Sequence, residues 1–67
     1  MNLMPMKVRE VIRLLEDHGW IIERQKGSHR QMKHPGNPNV LTIAGKDSGE
    51  LRPGTLHDIL KKAGLRK

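Results

Sequence analysis

The chain has no cysteine, and this absence excludes several classes of protein. Disulfide bonds, thiolate metal sites and a cysteine nucleophile are all impossible without it. Small secreted domains often depend on disulfides for stability, so we expect a cytoplasmic protein. The longest apolar runs, such as residues 20–22, are far shorter than the roughly 20 residues that span a bilayer. The N-terminal residues lack the pattern of a signal peptide, and we expect no membrane partner.

Aromatic residues are almost absent as well, since the sequence has no Phe, no Tyr and one Trp. Proteins that bind single-stranded nucleic acid by stacking the bases need exposed aromatic side chains. Trp20 precedes two isoleucines, and we expect it in the core. The composition therefore argues against nucleic-acid binding by stacking.

Acidic residues are few, and the balance of charge is strongly basic. The 67 residues include 13 Lys and Arg against 7 Asp and Glu, which gives a net charge of +6 and an isoelectric point near 10.4. Such a protein attracts polyanions, namely RNA, DNA or an acidic partner protein. The length predicts one domain over residues 1–67, with its core in about residues 7–65.

Two stretches have the apolar spacing of amphipathic helices, i, i+3, i+4 and i+7. The first is residues 7–18, where Pro5 suits the helix start and Gly19 the stop, and its apolar residues are Val8, Val11, Ile12 and Leu15. The second follows Pro53-Gly54-Thr55 and ends at Gly64, with apolar residues Leu56, Ile59, Leu60 and Ala63.

Three segments between the helices have strand character. Residues 20–25 are β-branched and aromatic, residues 28–34 follow a turn at Lys26-Gly27, and residues 40–44 form the clearest strand. The densest turn signal is at residues 35–39, and residues 45–49 are a polar loop. The order predicts an α+β protein, α-β-β-β-α, in which two helices cover one face of a three-stranded antiparallel sheet. The other face would meet solvent or a ligand.

The segment KGSHRQMKHP, residues 26–35, places two histidines among basic residues. Strand alternation divides it into two faces: His29, Gln31 and Lys33 on one, and Ser28, Arg30, Met32 and His34 on the other. Because Met32 is the one clear apolar residue of this strand, its face should meet the core. We therefore expect His29 on the open face.

A metal site is one interpretation of these histidines, and the spacing disfavours it. His29 and His34 are five residues apart, so they fall on opposite faces of a strand. His18 and His57 belong to the outer sides of the predicted helices. Because zinc needs several convergent ligands, we expect no metal and no cofactor.

An outward histidine in a basic strand also suits acid–base chemistry on a phosphate. Histidine takes up and releases a proton near neutral pH, and cations stabilise charge that develops on a phosphoryl group. Gly27 would allow a ligand to approach the backbone closely. RNA supplies its own nucleophile, the 2′-hydroxyl, so this arrangement suits RNA cleavage. An ordinary exposed histidine on a basic surface would give the same pattern.

Two further motifs predict no chemistry. Ser28 and His29 are neighbours on a strand and point to opposite faces, so they do not form a Ser-His-Asp triad. Residues 35–38 are not a phosphate-binding loop, because no Gly-Lys-Ser/Thr follows.

Three segments together resemble the HicA family of mRNA interferase toxins: Gly19-Trp20, residues 26–35 and residues 54–65. The combination of Gly-Ser-His-x-x-x-x-His-Pro with the C-terminal GTLHDILKKAGL is more specific than either half, and the resemblance covers about residues 7–65. It implies a fold like that of double-stranded-RNA-binding domains. It also implies a type II toxin that cleaves mRNA without a metal, halts translation and is neutralised by a HicB-type antitoxin. The catalytic histidine of the family corresponds to His29, with Gly27 and Ser28 in the same motif.

The chain departs from the family pattern at two places. Many members have an aromatic residue where this chain has Met32, and many have Pro and His where it has residues 44–46, Ala-Gly-Lys. Lys46 would then stabilise charge, and the second proton-transfer group stays open.

The sequence therefore predicts a histidine-dependent endoribonuclease with His29 as general base or acid. Lys26 and Lys33 rank first among the expected phosphate-binding residues, which also include Arg24 and Lys46, and Arg30 ranks lower. Gly27 and Ser28 are also expected to contact RNA. Two alternatives remain: a non-catalytic module of the same fold that binds double-stranded RNA, and an inactive relative that only completes a complex with HicB.

Overall fold

The computed structural model describes residues 6–66 and confirms the predicted α+β fold. Its elements are β1 Met6–Lys7, α1 Val8–Asp17, β2 Ile21–Lys26, β3 His29–His34, β4 Asn37–Ala44, β5 Glu50–Leu51 and α2 Pro53–Lys62. Strands β2, β3 and β4 form an antiparallel sheet in that order. The short strands β1 and β5 pair separately and were not predicted. Pro5 and the N-terminal residues considered for a signal peptide lie outside the described residues.

The apolar stripes of both helices pack on one face of the sheet, as their spacing predicts. The buried hydrophobic residues form one cluster, to which each large element except β2 contributes: Val8, Val11, Ile12, Leu15, Trp20, Met32, Leu41, Ile43, Leu51, Leu56, Ile59, Leu60 and Ala63. All six residues of β2 are exposed. The core therefore lies between the helices and β3 and β4, and β2 is an edge strand.

Helix α1 ends in a Schellman motif that turns the chain into the sheet. Gly19 has a φ of +91°, its N–H donates to the Glu16 carbonyl oxygen at 3.0 Å, and the Trp20 N–H donates to the Leu15 carbonyl oxygen at 3.0 Å. This geometry buries Trp20, and the imidazole of His34 lies against the indole with ring centroids 5.5 Å apart. The end of the helix is thus joined to the far end of β3.

The second hairpin is tighter than the sequence suggests. Only Pro35 and Gly36 lie between β3 and β4, whereas residues 37–39 of the predicted turn belong to β4. Strand β4 is an edge strand, so the missing N–H of Pro38 is tolerated, and the pairing is irregular between Met32 and His34. The amide groups of Asn37 and Asn39 each donate to the Lys62 carbonyl oxygen at 3.0 Å, which connects this irregular end to helix α2.

The additional strand pair holds the loop after β4 against the start of α1. Met6 pairs with Leu51 and Lys7 with Glu50. The Val8 N–H donates to the Gly49 carbonyl oxygen at 2.8 Å, and the Arg9 N–H donates to the Asp47 carbonyl oxygen at 3.1 Å. Loop residues 45–49 therefore have a fixed position beside the sheet.

Neither helix in the described part of the chain has the length and apolarity to span a membrane.

The end of α1 leads to a stability prediction for Gly19→Ala. A Cβ atom at Gly19 would lie 2.9 Å from Nε2 of His34, and the backbone has a positive φ. We expect this variant to lose about 1–3 kcal/mol of unfolding free energy in urea. Gly54→Ala is the matched control, because Gly54 lies in α2 with open space around it, and it should be neutral or stabilising. Equal losses in the two variants would contradict this role of Gly19.

Candidate active site on the open face of the sheet

The open face of the sheet presents its side chains in transverse rows. In one row Lys26 of β2 pairs with His29 of β3, at the hairpin end. In the next row Arg24 pairs with Gln31, and Gln31 pairs in turn with Thr42 of β4. Directly opposite residues in such a sheet have Cβ atoms about 4.5–5.5 Å apart. The register therefore brings residues from three strands to one small area.

These five residues line a shallow pocket of about 260 Å³: Arg24, Lys26, His29, Gln31 and Thr42. The volume lies near the small end of ligand sites, which run from roughly 300 to 1,000 Å³. All five side chains are exposed, and no carboxylate lines the pocket in the described part of the chain. A pocket with two cations, one histidine and no acid suits an anionic group of modest size.

The β2–β3 hairpin positions His29 at the edge of this pocket. Its two-residue loop is Gly27-Ser28, one residue later than the predicted turn, and Gly27 has a φ of +58°. The Gln25 side-chain amide donates to the Gly27 carbonyl oxygen at 3.1 Å. The Gly45 N–H donates to the Ser28 carbonyl oxygen at 3.2 Å, which attaches the hairpin to the end of β4. His29 therefore begins its strand from a turn held on both sides.

Arg30 lies apart from the pocket, although it follows His29 directly. Its side chain is on the helix-covered face, and the residue is only 8% exposed. The guanidinium forms an ion pair with Asp47 and donates to the Gly45 carbonyl oxygen at 3.3 Å. Arg30, expected among the phosphate-binding residues, instead holds the loop after β4.

The remaining candidates surround the pocket without lining it. Lys33 is on the same face as His29, but its ammonium lies 3.5 Å from Glu23, beyond the row that contains Gln31. Lys46 is exposed in the loop that Arg30 holds, at the hairpin end of the sheet. Ser28 is exposed in the turn itself. The structure thus brings Lys26 and Arg24 together with His29, and leaves Lys33 and Lys46 as peripheral cations.

The other histidines have separate environments. Nδ1 of His34 accepts a hydrogen bond from the Gly36 N–H at 2.8 Å, and the ring packs on Trp20, so His34 supports the second turn. His18 caps the end of α1, and His57 is half-buried on α2. Residues 6–66 contain no group of three or more His, Asp or Glu side chains close enough to hold a metal ion.

Comparison with known proteins identifies the family of this chain. The sequence model of the family described as "HicA toxin of bacterial toxin-antitoxin" matches residues 8–65 of the 67-residue chain. The chain belongs to the HicA toxin family. No curated protein matches the sequence closely enough to add to this result.

Membership of the HicA family makes this chain the toxin component of a toxin–antitoxin system and implies an antitoxin partner. The matched region contains the complete pocket, the hairpin and both helices. The resemblance noted in the sequence is therefore confirmed at the level of the family.

Two residues of this HicA pocket, Gln31 and Thr42, had no predicted role. Alternation already placed Gln31 on the face of His29, and Thr42 lies between Leu41 and Ile43, which point to the core. Their meeting in one row depends on the register between β3 and β4, which sequence periodicity does not supply. Asp47 was also missed, because it lies 17 residues from Arg30 along the chain.

The ion pair of Arg30 leads to a prediction for Asp47→Asn. This change leaves the buried guanidinium with a neutral partner, and we expect a loss of about 1–2 kcal/mol in unfolding free energy, since Asp47 itself is largely exposed. Asp58→Asn is the control, because it removes only an exposed pair with Lys62 on α2, and it should cost about 0.5 kcal/mol or less. Equal midpoints in urea for the two variants would contradict a structural role for the Arg30–Asp47 pair.

Proposed function

We propose that this toxin is a metal-independent endoribonuclease that cleaves mRNA and inhibits translation, with His29 in the chemical step. The observation that supports this most directly is the pairing of His29 with Lys26 in a pocket that Arg24 also lines. A proton-transfer group beside two cations suits cleavage of a phosphodiester, because one can move a proton and the others can stabilise the charge that develops on the phosphate.

The reaction we propose uses the ribose 2′-hydroxyl as nucleophile. The 2′-oxygen attacks the adjacent phosphorus as its proton leaves, the bond from phosphorus to the 5′-oxygen breaks, and that oxygen gains a proton. The products are a 2′,3′-cyclic phosphate and a 5′-hydroxyl. His29 is the histidine that lines the pocket, and histidine is the side chain most often used in general acid–base catalysis, so it acts as base toward the 2′-hydroxyl or as acid toward the 5′-oxygen. Water, which reaches this exposed site, carries out the proton transfer that His29 does not perform.

The basic residues predicted to bind phosphate have different roles in the proposal. Lys26 and Arg24 neutralise the reacting phosphate, because they line the pocket beside His29. Lys33 and Lys46 are exposed outside the pocket and bind neighbouring phosphates. Gly27 and Ser28 form the turn along which the RNA backbone passes. Arg30 acts indirectly, because its contacts hold the loop that contains Lys46.

The partners we propose are an mRNA substrate and a HicB-type antitoxin that covers the open face. An antitoxin that blocks RNA must contact the pocket or its surroundings. The cations there would attract acidic groups of the antitoxin, which would speed association and add specificity.

The first test is RNA cleavage by the purified protein and by His29→Ala. We expect the wild type to cut a labelled single-stranded mRNA fragment in the presence of EDTA and to leave 2′,3′-cyclic phosphate ends. His29→Ala should be about 100-fold slower or worse, the usual effect of losing a general acid or base. His18→Ala is the matched control, because that histidine caps α1 away from the pocket, and it should cleave at the wild-type rate.

Four results would overturn the proposal. Cleavage that stops in EDTA would show a metal requirement. Equal cleavage by His29→Ala would remove His29 from the chemistry. Intact RNA with a salt-sensitive gel shift would favour the non-catalytic RNA-binding module, and intact RNA with no shift would favour a chain that acts only through its antitoxin.

The second test concerns the surface that the antitoxin covers. We expect Lys26→Glu to weaken binding of the cognate antitoxin about tenfold or more, because it reverses a charge at the centre of the proposed interface. Lys61→Glu makes the same charge change on an exposed position of α2 and should have little effect. Isothermal titration calorimetry at two salt concentrations measures both. A larger effect of Lys61→Glu would place the antitoxin on the helices instead.

A further inference from the structure

Two uncharged polar side chains, Gln31 and Thr42, line the pocket together with the residues assigned to catalysis and phosphate binding. They are cross-strand partners in the row next to that of His29. The side-chain hydrogen bonds within residues 6–66 involve other residues, so the carboxamide and the hydroxyl keep their donors and acceptors for a ligand. Neither group can neutralise a phosphate or transfer a proton at neutral pH.

We propose that Gln31 and Thr42 form a nucleobase subsite that selects adenine next to the bond that is cut. This inference rests on the proposed ribonuclease function and adds its sequence preference. It assigns the pocket two parts: a phosphate part at Lys26 and His29, and a base part at Gln31 and Thr42.

The spacing of the two parts fits one nucleotide. His29 and Gln31 are two residues apart on the same face of β3, so their Cα atoms are about 6.6 Å apart along the strand. A nucleotide whose phosphate lies at His29 can therefore reach Gln31 with its base. The small volume of the pocket limits this contact to a single base, and sequence-specific proteins recognise RNA through such unpaired bases.

The choice of adenine follows from the chemistry of the carboxamide. One oxygen acceptor and one amide donor on the same planar group match an amino group beside a ring nitrogen, as Asn and Gln match adenine in duplex DNA. An unpaired adenine presents this pair on two edges, whereas an unpaired cytosine presents it on one, so the carboxamide favours adenine. The hydroxyl of Thr42 can donate or accept and adds a third contact.

The outer boundary of the subsite is set by the next row along the sheet. There Ile21 pairs with Lys33 across the strands. The ammonium of Lys33 forms an ion pair with the carboxylate of Glu23, with 3.5 Å between nitrogen and oxygen. These residues do not line the pocket. Lys33 thus provides a control position on the same face, where a substitution changes charge without touching the base.

The test is the cleavage profile of a randomised single-stranded RNA pool, sequenced after digestion. For the wild type we expect adenine to be preferred about tenfold at one position beside the cut, in keeping with 1–3 kcal/mol for a good contact to a base edge. Gln31→Met and Thr42→Val keep similar shapes and should reduce that preference. Gln31→Glu should shift it toward cytosine, whose amino group donates to a carboxylate. Lys33→Met should lower cleavage of all sites alike and keep the preference.

The outcomes separate this inference from the ribonuclease proposal. Cleavage by the wild type with a profile unchanged in Gln31→Met and Gln31→Glu would overturn the subsite and leave the enzyme. If the wild type does not cleave, binding is measured instead. The His29→Ala protein is titrated into four fluorescent 2′-O-methyl heptamers that differ only in the central base, and binding is detected by fluorescence anisotropy. Tighter binding of the adenine heptamer that Gln31→Met abolishes would support the subsite without the enzyme. Equal binding of all four heptamers would overturn it.

Discussion

Two helices of ten residues each can cover only one face of the sheet, and the rest of the molecule follows from this constraint. The covered face buries Met32, Leu41 and Ile43 completely or almost so. No element within residues 6–66 covers the opposite face, which keeps exposed polar side chains from all three strands. A larger protein would enclose such a surface, whereas here it is available to a ligand or an antitoxin.

The central strand β3 contributes to both faces of the sheet, because its residues alternate between the core and the open face. Arg30 and Met32 point toward the core and fix the loop and the packing, whereas His29 and Gln31 point outward into the pocket. A shift of one residue in register would bury the histidine and expose the methionine. The hairpin turn at Gly27-Ser28 and the ion pair of Arg30 with Asp47 therefore matter for the site as well as for stability.

Much of this could be predicted from residue periodicity. The spacing of the apolar residues predicted both helices, and alternation predicted His29 outside and Met32 inside. Features that depend on contacts between distant segments could not be predicted in this way. The row that joins Gln31 to Thr42 requires the strand register, and the partner of Arg30 lies in a loop. The residues after Pro35-Gly36 were predicted to form a turn because Pro and Asn are common in turns. They belong to β4, whose edge position tolerates a proline in the strand.

The most direct measurement is an NMR titration of ¹⁵N-labelled His29→Ala protein with a 2′-O-methyl RNA oligonucleotide that cannot be cleaved. If RNA binds the open face, the backbone amide signals of Arg24, Lys26, Gln31 and Thr42 should shift in a saturable way. The signals of the basic residues Lys61 and Lys62 near the end of α2 should change little. Shifts concentrated on α2, with the sheet signals unchanged, would contradict the assignment of the open face as the RNA site.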